Sequence, residues 1–170
     1  MSQLAPSTPG LFKTALYPEL RLQLAGLLEG ERDGLAQCAN LCALLFERLA
    51  DVNWVGFYFS RAGDLVLGPF QGKVACVRIP WGRGVCGTAA ARRATLIVPD
   101  VHEFPGHIAC DAASRSEIVV PLLRAGTLYG VLDLDSPDLA RFDDADAAGL
   151  EALVADLLAG VDLTRYADPA

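Results

Sequence analysis

The sequence contains no long apolar run and no cluster of basic residues. None of its apolar stretches approaches the roughly 20 residues that cross a bilayer. The N-terminus, MSQLAPSTPG, has neither the basic start nor the apolar stretch of a secretory signal, so we expect a cytoplasmic protein without a membrane anchor. The fourteen Lys and Arg residues are scattered and the formal net charge is -7, which argues against nucleic-acid binding because phosphate recognition relies on clustered positive charge.

Histidine is scarce as well, since His102 and His107 are the only two. The five cysteines follow no C-x-x-C spacing and the histidines are not paired as zinc ligands. We therefore expect no bound metal and no resident cofactor. Cys38 and Cys42 lie four residues apart on one predicted helix, where their Ala, Leu and Phe neighbours favour packing in the core over metal binding.

The length of 170 residues suffices for one hydrophobic core. We expect a flexible N-terminus over residues 1–10 and a single domain over residues 11–165. The fold class is predicted to be α+β: a central antiparallel sheet flanked by N- and C-terminal helices, with one long loop. The first predicted helix is 17–28, with Pro18 in its first turn, and a short helix is predicted at 88–93. Between them, a second helix has a predicted inner face of Leu35, Ala39, Cys42, Leu45, Phe46 and Leu49, and a C-terminal helix is capped by Asp143 and Asp146. The predicted strands are 52–60, 65–70, 95–98, 118–123 and 127–135.

The remaining thiols, Cys76, Cys86 and Cys110, lie in predicted loops or at element edges, where a thiol can reach solvent and another thiol. Cys110 falls in the irregular segment 99–116, whose length is typical of a functional loop. Cys86 lies at the first turn of a short predicted helix, where the helix dipole favours a thiolate. Asp111 disfavours a thiolate at Cys110 unless the loop folds back and Arg115 counters its charge. Local physics therefore favours Cys86 as nucleophile and leaves the choice open.

Acidic residues cluster in the predicted second hairpin. Asp133 and Asp135 alternate along GVLDLDS and face one side of their strand, although a solvated face would explain them equally well. Glu117 opens the partner strand. A two-residue loop would place Glu117 on the opposite face, whereas a three-residue loop with a left-handed Gly126 brings it beside both aspartates. We predict the three-residue loop and a cluster of three acids.

Thiols beside crowded acids suit the reduction of a sulfoxide. A thiolate attacks sulfur while the oxygen receives a proton, and a carboxyl that is buried among other carboxylates keeps a proton at neutral pH. The resulting sulfenic acid condenses with a second thiol to a disulfide, which a dithiol donor then reduces. The other carboxylates can pair with the ammonium of an amino acid. Trp54 and Tyr58, four residues apart on one strand face, can form an aromatic wall against an S-methyl group.

Three segments carry a family resemblance: LVLGPFQGKVACVRIPWGRGVCGTAA, DVHEFPGHIACDAASRSEIVVPL and GVLDLDS. From Asn53 to the last helix the chain resembles the free methionine-R-sulfoxide reductases, which are GAF-domain enzymes. The resemblance implies a GAF fold and thiol-dependent reduction of free L-methionine-(R)-S-oxide to L-methionine. It also implies thioredoxin as reductant, replaceable by dithiothreitol in vitro, and a homodimer.

The resemblance also implies roles for individual residues. Cys110 corresponds to the nucleophile, which overrides the local preference for Cys86. Cys76 corresponds to the principal resolving cysteine, and Cys86 corresponds to a third cysteine that assists resolution. The substrate-binding and proton-donating acids correspond to Glu117, Asp133 and Asp135, and the aromatic wall corresponds to Trp54. Trp81 is larger than the residue usual at its position and would narrow the loop around Cys76 and Cys86 or cover these two thiols. The alternative is a GAF-type sensor that binds a small ligand or senses redox state without turnover, but a sensor normally needs an output domain.

Overall fold

A six-stranded antiparallel sheet forms the centre of the protein in the computed structural model, which describes residues 9–106 and 113–166. The helices are α1 (Pro9–Leu28), α2 (Gly34–Arg48), α3 (Gly84–Arg92) and α4 (Asp144–Gly160), with 3-10 turns at Val101–Glu103 and Thr164–Tyr166. The strands are β1 (Trp54–Arg61), β2 (Asp64–Gly72), β3 (Arg78–Pro80), β4 (Leu96–Val98), β5 (Ser116–Arg124) and β6 (Thr127–Ser136), in the order β3-β2-β1-β6-β5-β4. Within the described ranges, no helix has both the length and the apolar character to span a bilayer.

The two faces of the sheet are covered by different layers. Side chains alternate along a strand, so Phe57 and Phe59 of β1 pack with α1, α2 and α4 in the main hydrophobic core. Trp54 and Tyr58 of the same strand point to the other face, where they pack with α3 in a second, smaller core. The predicted α+β class, with a central antiparallel sheet between N- and C-terminal helices, is confirmed.

The inner face of α2 differs from the predicted one. Asp33 caps the helix by accepting a hydrogen bond from the backbone N–H of Ala36 at 3.0 Å. Leu35 and Phe46, which were expected inside, are exposed, and Ala39 is exposed as well. The buried stripe instead runs through Gln37, Cys38, Leu41, Cys42 and Leu45. The predicted packing role of Cys38 and Cys42 is confirmed, since both are buried and the Cys42 thiol donates to the Pro69 carbonyl oxygen at 3.3 Å.

Several element boundaries also differ from the predictions. α1 begins at Pro9, so Pro18 lies inside the helix and not in its first turn. α3 begins at Gly84, earlier than the predicted residue 88, and β3 was not predicted because its three residues are too short for a periodic signal. The capping box of α4 is confirmed, because Asp143 accepts from the N–H of Asp146 and the Asp146 side chain accepts from the N–H of Asp143.

The β5–β6 register has the predicted consequence through a different local structure. The loop consists of two residues, Ala125 and Gly126, both with positive φ, and not of three. If both strands were regular, this two-residue loop would place Glu117 opposite Leu134. A β-bulge at Tyr129 shifts the register by one, because Leu123 pairs with Leu128 whereas Leu122 pairs with Gly130. Glu117 therefore pairs with Asp135 and shares its face with both aspartates.

Candidate active site

Three neighbouring strands bring the predicted acids and aromatic residues together on the α3 side of the sheet. Glu117, Asp135 and Trp54 form one row across β5, β6 and β1. Asp133 lies in the next row, opposite Gly56. Glu117 and Asp133 are each only 6% exposed and Asp135 is half-buried. The register thus gathers three carboxyl groups beneath α3, two of them shielded from water.

The thiol of Cys86 reaches this cluster from the first turn of α3. It is buried and donates a hydrogen bond to Glu117 Oε1, with a sulfur-to-oxygen distance of 3.8 Å. Ligand atoms of Cys86, Glu117 and Asp133 lie within 4.8 Å of one another. Asp133 Oδ1 is buried and has no hydrogen-bond partner among the described residues. The cluster therefore retains one buried acceptor that a cationic group or a hydrogen-bond donor could use.

Burial is the main cause of the high pKa values in this cluster. Burial, the charges of Asp133 and Asp135 and a hydrogen bond to Asp133 raise the pKa of Glu117 well above its usual range. Burial raises the pKa of Asp133 to about 7, against the opposing effect of hydrogen bonds with Cys86 and Glu117. Since the bond between the two carboxyls raises the pKa of Glu117 and lowers that of Asp133, the proton resides on Glu117. A carboxylic acid is thus available at neutral pH.

The expectation that the helix terminus activates Cys86 is wrong. Cys86 does lie in the first turn of a helix, but burial raises the pKa of its thiol well above the usual range, and the charges of Asp133 and Glu117 raise it further. A helix dipole contributes about 1 kcal/mol, which is too little to offset desolvation next to two carboxyl groups. Cys86 is a neutral thiol in this environment.

An aromatic wall stands beside the acids, as predicted for Trp54 and Tyr58. Trp54 is buried, with its ring centroid 5.9 Å from that of Tyr58 and 5.5 Å from that of Phe70. A Cβ atom at Gly56 would lie 2.2 Å from the Trp54 indole and 2.6 Å from the Cβ of Phe70. A glycine is therefore required at residue 56 for the indole to lie across the sheet next to Asp133.

The same two aromatic residues anchor the segment that carries Cys76. Trp54 Nε1 donates to the carbonyl oxygen of Lys73 at 3.0 Å, and the Tyr58 hydroxyl donates to that of Cys76 at 3.1 Å. Cys76 is half-buried and disulfide-bonded, whereas Cys38, Cys42 and Cys86 are free thiols. Two hydrogen bonds thus tie the aromatic wall to the segment that carries the disulfide-bonded Cys76.

Cys110, the predicted nucleophile, lies outside the described residues, as do His107 and Asp111. In the described ranges, Cys86, Glu117 and Asp133 are the side chains placed closely enough to hold a metal ion. Their raised pKa values mean that a metal would first have to displace protons. The absence of a bound metal stays a prediction.

Sequence reasoning missed two contributors to the wall, Gly56 and Phe70. The hairpin register pairs these two residues directly, so an explicit β1–β2 register could have revealed them. Trp81 packs against the second core, which includes Cys86, and its Nε1 is buried without a hydrogen-bond partner among the described residues. This position agrees with the expectation that Trp81 covers the thiols.

Comparison with known proteins agrees with this architecture. The GAF domain family matches residues 33–160. The free methionine-R-sulfoxide reductase of Escherichia coli strain K12 is 55% identical over 154 residues, which cover 91% of this chain and 93% of the relative. The Saccharomyces cerevisiae enzyme of the same name is 46% identical over 151 residues, 84% of each chain. The structure of the Neisseria meningitidis free methionine-R-sulfoxide reductase in complex with its substrate superposes with a TM-score of 0.83 at 42% identity, covering 97% of both chains. The chain therefore belongs to the GAF domain family and, within it, to the free methionine-R-sulfoxide reductases.

Proposed function

We propose that this protein reduces free L-methionine-(R)-S-oxide to L-methionine with its own thiols. The observation that carries the proposal is the pair of buried carboxyl groups, Glu117 and Asp133, beside the Trp54 wall. A binding domain without turnover has no need of an acid that is kept protonated at neutral pH, whereas sulfoxide reduction requires one. The substrate and its R stereochemistry follow from the family.

The first step transfers oxygen from substrate to enzyme. The thiolate of Cys110 attacks the sulfoxide sulfur while the proton of Glu117 passes to the oxygen. The oxygen then moves to the Cys110 sulfur, so the substrate's sulfur–oxygen bond and the transient sulfur–sulfur bond break as the sulfur–oxygen bond of the sulfenic acid forms. The products are methionine and a sulfenic acid on Cys110. Glu117 suits this role because burial and the neighbouring aspartates raise its pKa, so it holds a proton at neutral pH.

The second step forms a disulfide. The Cys76 thiol attacks the sulfenic sulfur of Cys110, and water leaves. Among the described cysteines, Cys38, Cys42 and Cys86 are free and Cys76 is disulfide-bonded, which supports Cys76 as the resolving residue. A dithiol donor, thioredoxin in the cell and dithiothreitol in vitro, then returns both thiols.

In this scheme Cys86 orients the acid and does not resolve the sulfenic acid. Its sulfur is buried and donates to Glu117 Oε1 at 3.8 Å. That hydrogen bond stabilises the ionised carboxylate and so lowers the pKa of Glu117 against the larger effect of burial. Cys86 is thereby a positioning residue that keeps the acid able to release its proton.

The rest of the site accounts for a free amino acid as substrate. Asp133 Oδ1, which has no hydrogen-bond partner among the described residues, and the half-buried Asp135 offer acceptors to an α-ammonium group. Trp54 offers an apolar face to the S-methyl group. A methionine sulfoxide inside a peptide has an amide nitrogen in place of the ammonium, so it lacks the charge that these acceptors favour. The homodimer stays a prediction.

The test is to incubate the reduced protein and dithiothreitol with separate R and S forms of free methionine sulfoxide and with a peptide that contains methionine sulfoxide. The release of methionine is measured in each case. We expect methionine from the free R form alone. Failure to release methionine from it would contradict the proposal and favour a ligand or redox sensor, and equal turnover of the peptide would contradict the role of the acids in binding an ammonium.

A further inference from the structure

The segment around Cys76, residues 73–77, presents two apolar side chains to water. Val74 is 87% exposed and Val77 is 67% exposed, and they flank the half-buried, disulfide-bonded Cys76 in sequence. A single exposed valine is common on protein surfaces. Two of them on either side of a redox-active sulfur indicate a contact surface.

Three backbone carbonyl oxygens of this segment accept hydrogen bonds from residues of β1 and β2, which fixes the path of the segment. Trp54 Nε1 donates to Lys73 and the Tyr58 hydroxyl donates to Cys76. The backbone N–H of Leu67 in β2 donates to Val77 at 3.0 Å. The exposure of the two valines is therefore a property of an anchored segment. The anchoring turns their side chains outward while the sulfur stays beside the wall of the site.

The stretch of chain that contains the segment is basic, whereas the whole protein is acidic. The net charge is -7, yet no acidic residue occurs between Asp64 and Asp100. Lys73, Arg78 and Arg83 are exposed around Cys76, and Asp64 approaches Arg78 at 3.5 Å. A partner with an acidic surface would be attracted to this part of the molecule and repelled by most of the rest.

We propose that residues 73–77 are the docking surface for a protein dithiol reductant that is acidic and carries apolar residues around its reactive cysteine. The inference rests on the proposed function, because it assumes that a disulfide at Cys76 must be reduced in each cycle. A small thiol would need neither the valines nor the positive charge.

The exchange at this surface is a two-electron transfer. The reductant's thiolate attacks Sγ of Cys76, forms a mixed disulfide, and displaces Cys110 as a thiolate that takes up a proton. The reductant's second thiol then attacks its own first sulfur. This step releases Cys76 as a thiol and leaves the reductant oxidised to a disulfide. Cys76 is half-buried because it packs against the second core, which includes Trp54 and Tyr58, so a reductant must approach the residue from its solvent-facing side.

The test compares the double variant Val74→Ser, Val77→Ser with wild type and with Leu35→Ser, which changes an apolar side chain that is 46% exposed on α2, beneath the other face of the sheet. Turnover of free methionine-(R)-sulfoxide is measured once with dithiothreitol and once with thioredoxin, thioredoxin reductase and NADPH. We expect unchanged dithiothreitol-driven rates in all three proteins. The kcat/KM for thioredoxin should fall at least about tenfold in the double variant alone, and added salt should lower it in wild type.

Each outcome separates the two proposals. If the double variant uses thioredoxin as well as wild type does, the docking surface is refuted while the activity stands. The docking surface is also refuted if the variant loses dithiothreitol-driven activity to the same extent, because the valines would then serve the site itself, or if wild type turns over with dithiothreitol and not with thioredoxin. A wild type that is inactive with dithiothreitol would refute the proposed function.

Discussion

Replacement of Asp133 by asparagine should stabilise the protein at alkaline pH. Burial raises the pKa of Asp133 from 3.8 to about 7. Ionisation of this carboxyl is therefore disfavoured in the folded state, whereas in the unfolded chain it carries no cost of burial. The free energy of unfolding therefore decreases as pH rises from the unfolded pKa to about 7 and is constant above it. A shift from 3.8 to about 7 corresponds to about 4 kcal/mol at 1.36 kcal/mol for each unit. Asparagine is neutral at every pH and avoids this cost.

The assay is urea denaturation of wild type and Asp133→Asn, both reduced with dithiothreitol, at about pH 8 and about pH 4. We expect the variant to be more stable by up to about 4 kcal/mol at the higher pH and by less than about 1 kcal/mol at the lower. Asp138→Asn makes the same chemical change on an exposed side chain and should leave the stability unchanged. If Asp133→Asn has no advantage at about pH 8, or the same advantage at both pH values, the claim that Asp133 is a buried, perturbed carboxyl is wrong.

Three further predictions concern the acid, the thiol and the sheet. Glu117→Gln cannot donate a proton, so kcat should fall roughly 10²- to 10⁴-fold with an unchanged circular dichroism spectrum; a loss of only a few fold would assign the proton to another group. Cys86→Ala removes the hydrogen bond that lowers the pKa of Glu117, so the alkaline limb of the kcat–pH profile should move to higher pH. Cys86→Ser keeps a hydrogen-bond donor and should leave that limb in place. Identical profiles for wild type and both variants would argue against the positioning role. Gly130→Ala should destabilise the fold, because Gly130 has a φ of 150° and a Cβ there would lie 2.0 Å from the Tyr58 carbonyl oxygen. A Cβ atom at Gly126 would have open space around it, so Gly126→Ala should lower the free energy of unfolding only by the backbone strain, roughly 1–3 kcal/mol. An equal loss of stability in both variants would contradict the close contact between residue 130 and Tyr58.

The gathering of the acids was predictable because it depends on strand alternation. The GVLDLDS pattern places Asp133 and Asp135 on one face wherever the strand lies in the sheet. The position of Glu117 depended on the β5–β6 register. Its face was predicted correctly, but from a three-residue loop, whereas the structure has a two-residue loop and a bulge. The signal for the bulge was Gly130, a glycine inside a strand, whose close approach to Tyr58 accounts for its identity.

The errors arose where tertiary contacts outweigh local preference. Cys86 has the helix-terminal position of an activated thiol, but β5 and β6, more than thirty residues further along the chain, bring two buried carboxyl groups next to it. In α2, apolar residues occur on more than one face. Contact with the sheet and α1 selects the stripe of Cys38, Leu41 and Leu45, and leaves Leu35 and Phe46 exposed. Sequence periodicity cannot rank competing faces when the packing partner is unknown.

We infer that one bound methionine sulfoxide oxidises Cys110 next to a protonated acid and that Cys76 closes the disulfide. It is tested most directly in a single turnover of the fully reduced protein with free methionine-(R)-sulfoxide and no reductant, followed by quantification of methionine and mass-spectrometric peptide mapping. We expect one methionine for each chain, a Cys76–Cys110 disulfide, and free thiols at Cys38, Cys42 and Cys86. A disulfide between Cys86 and Cys110, or the absence of methionine, would contradict it.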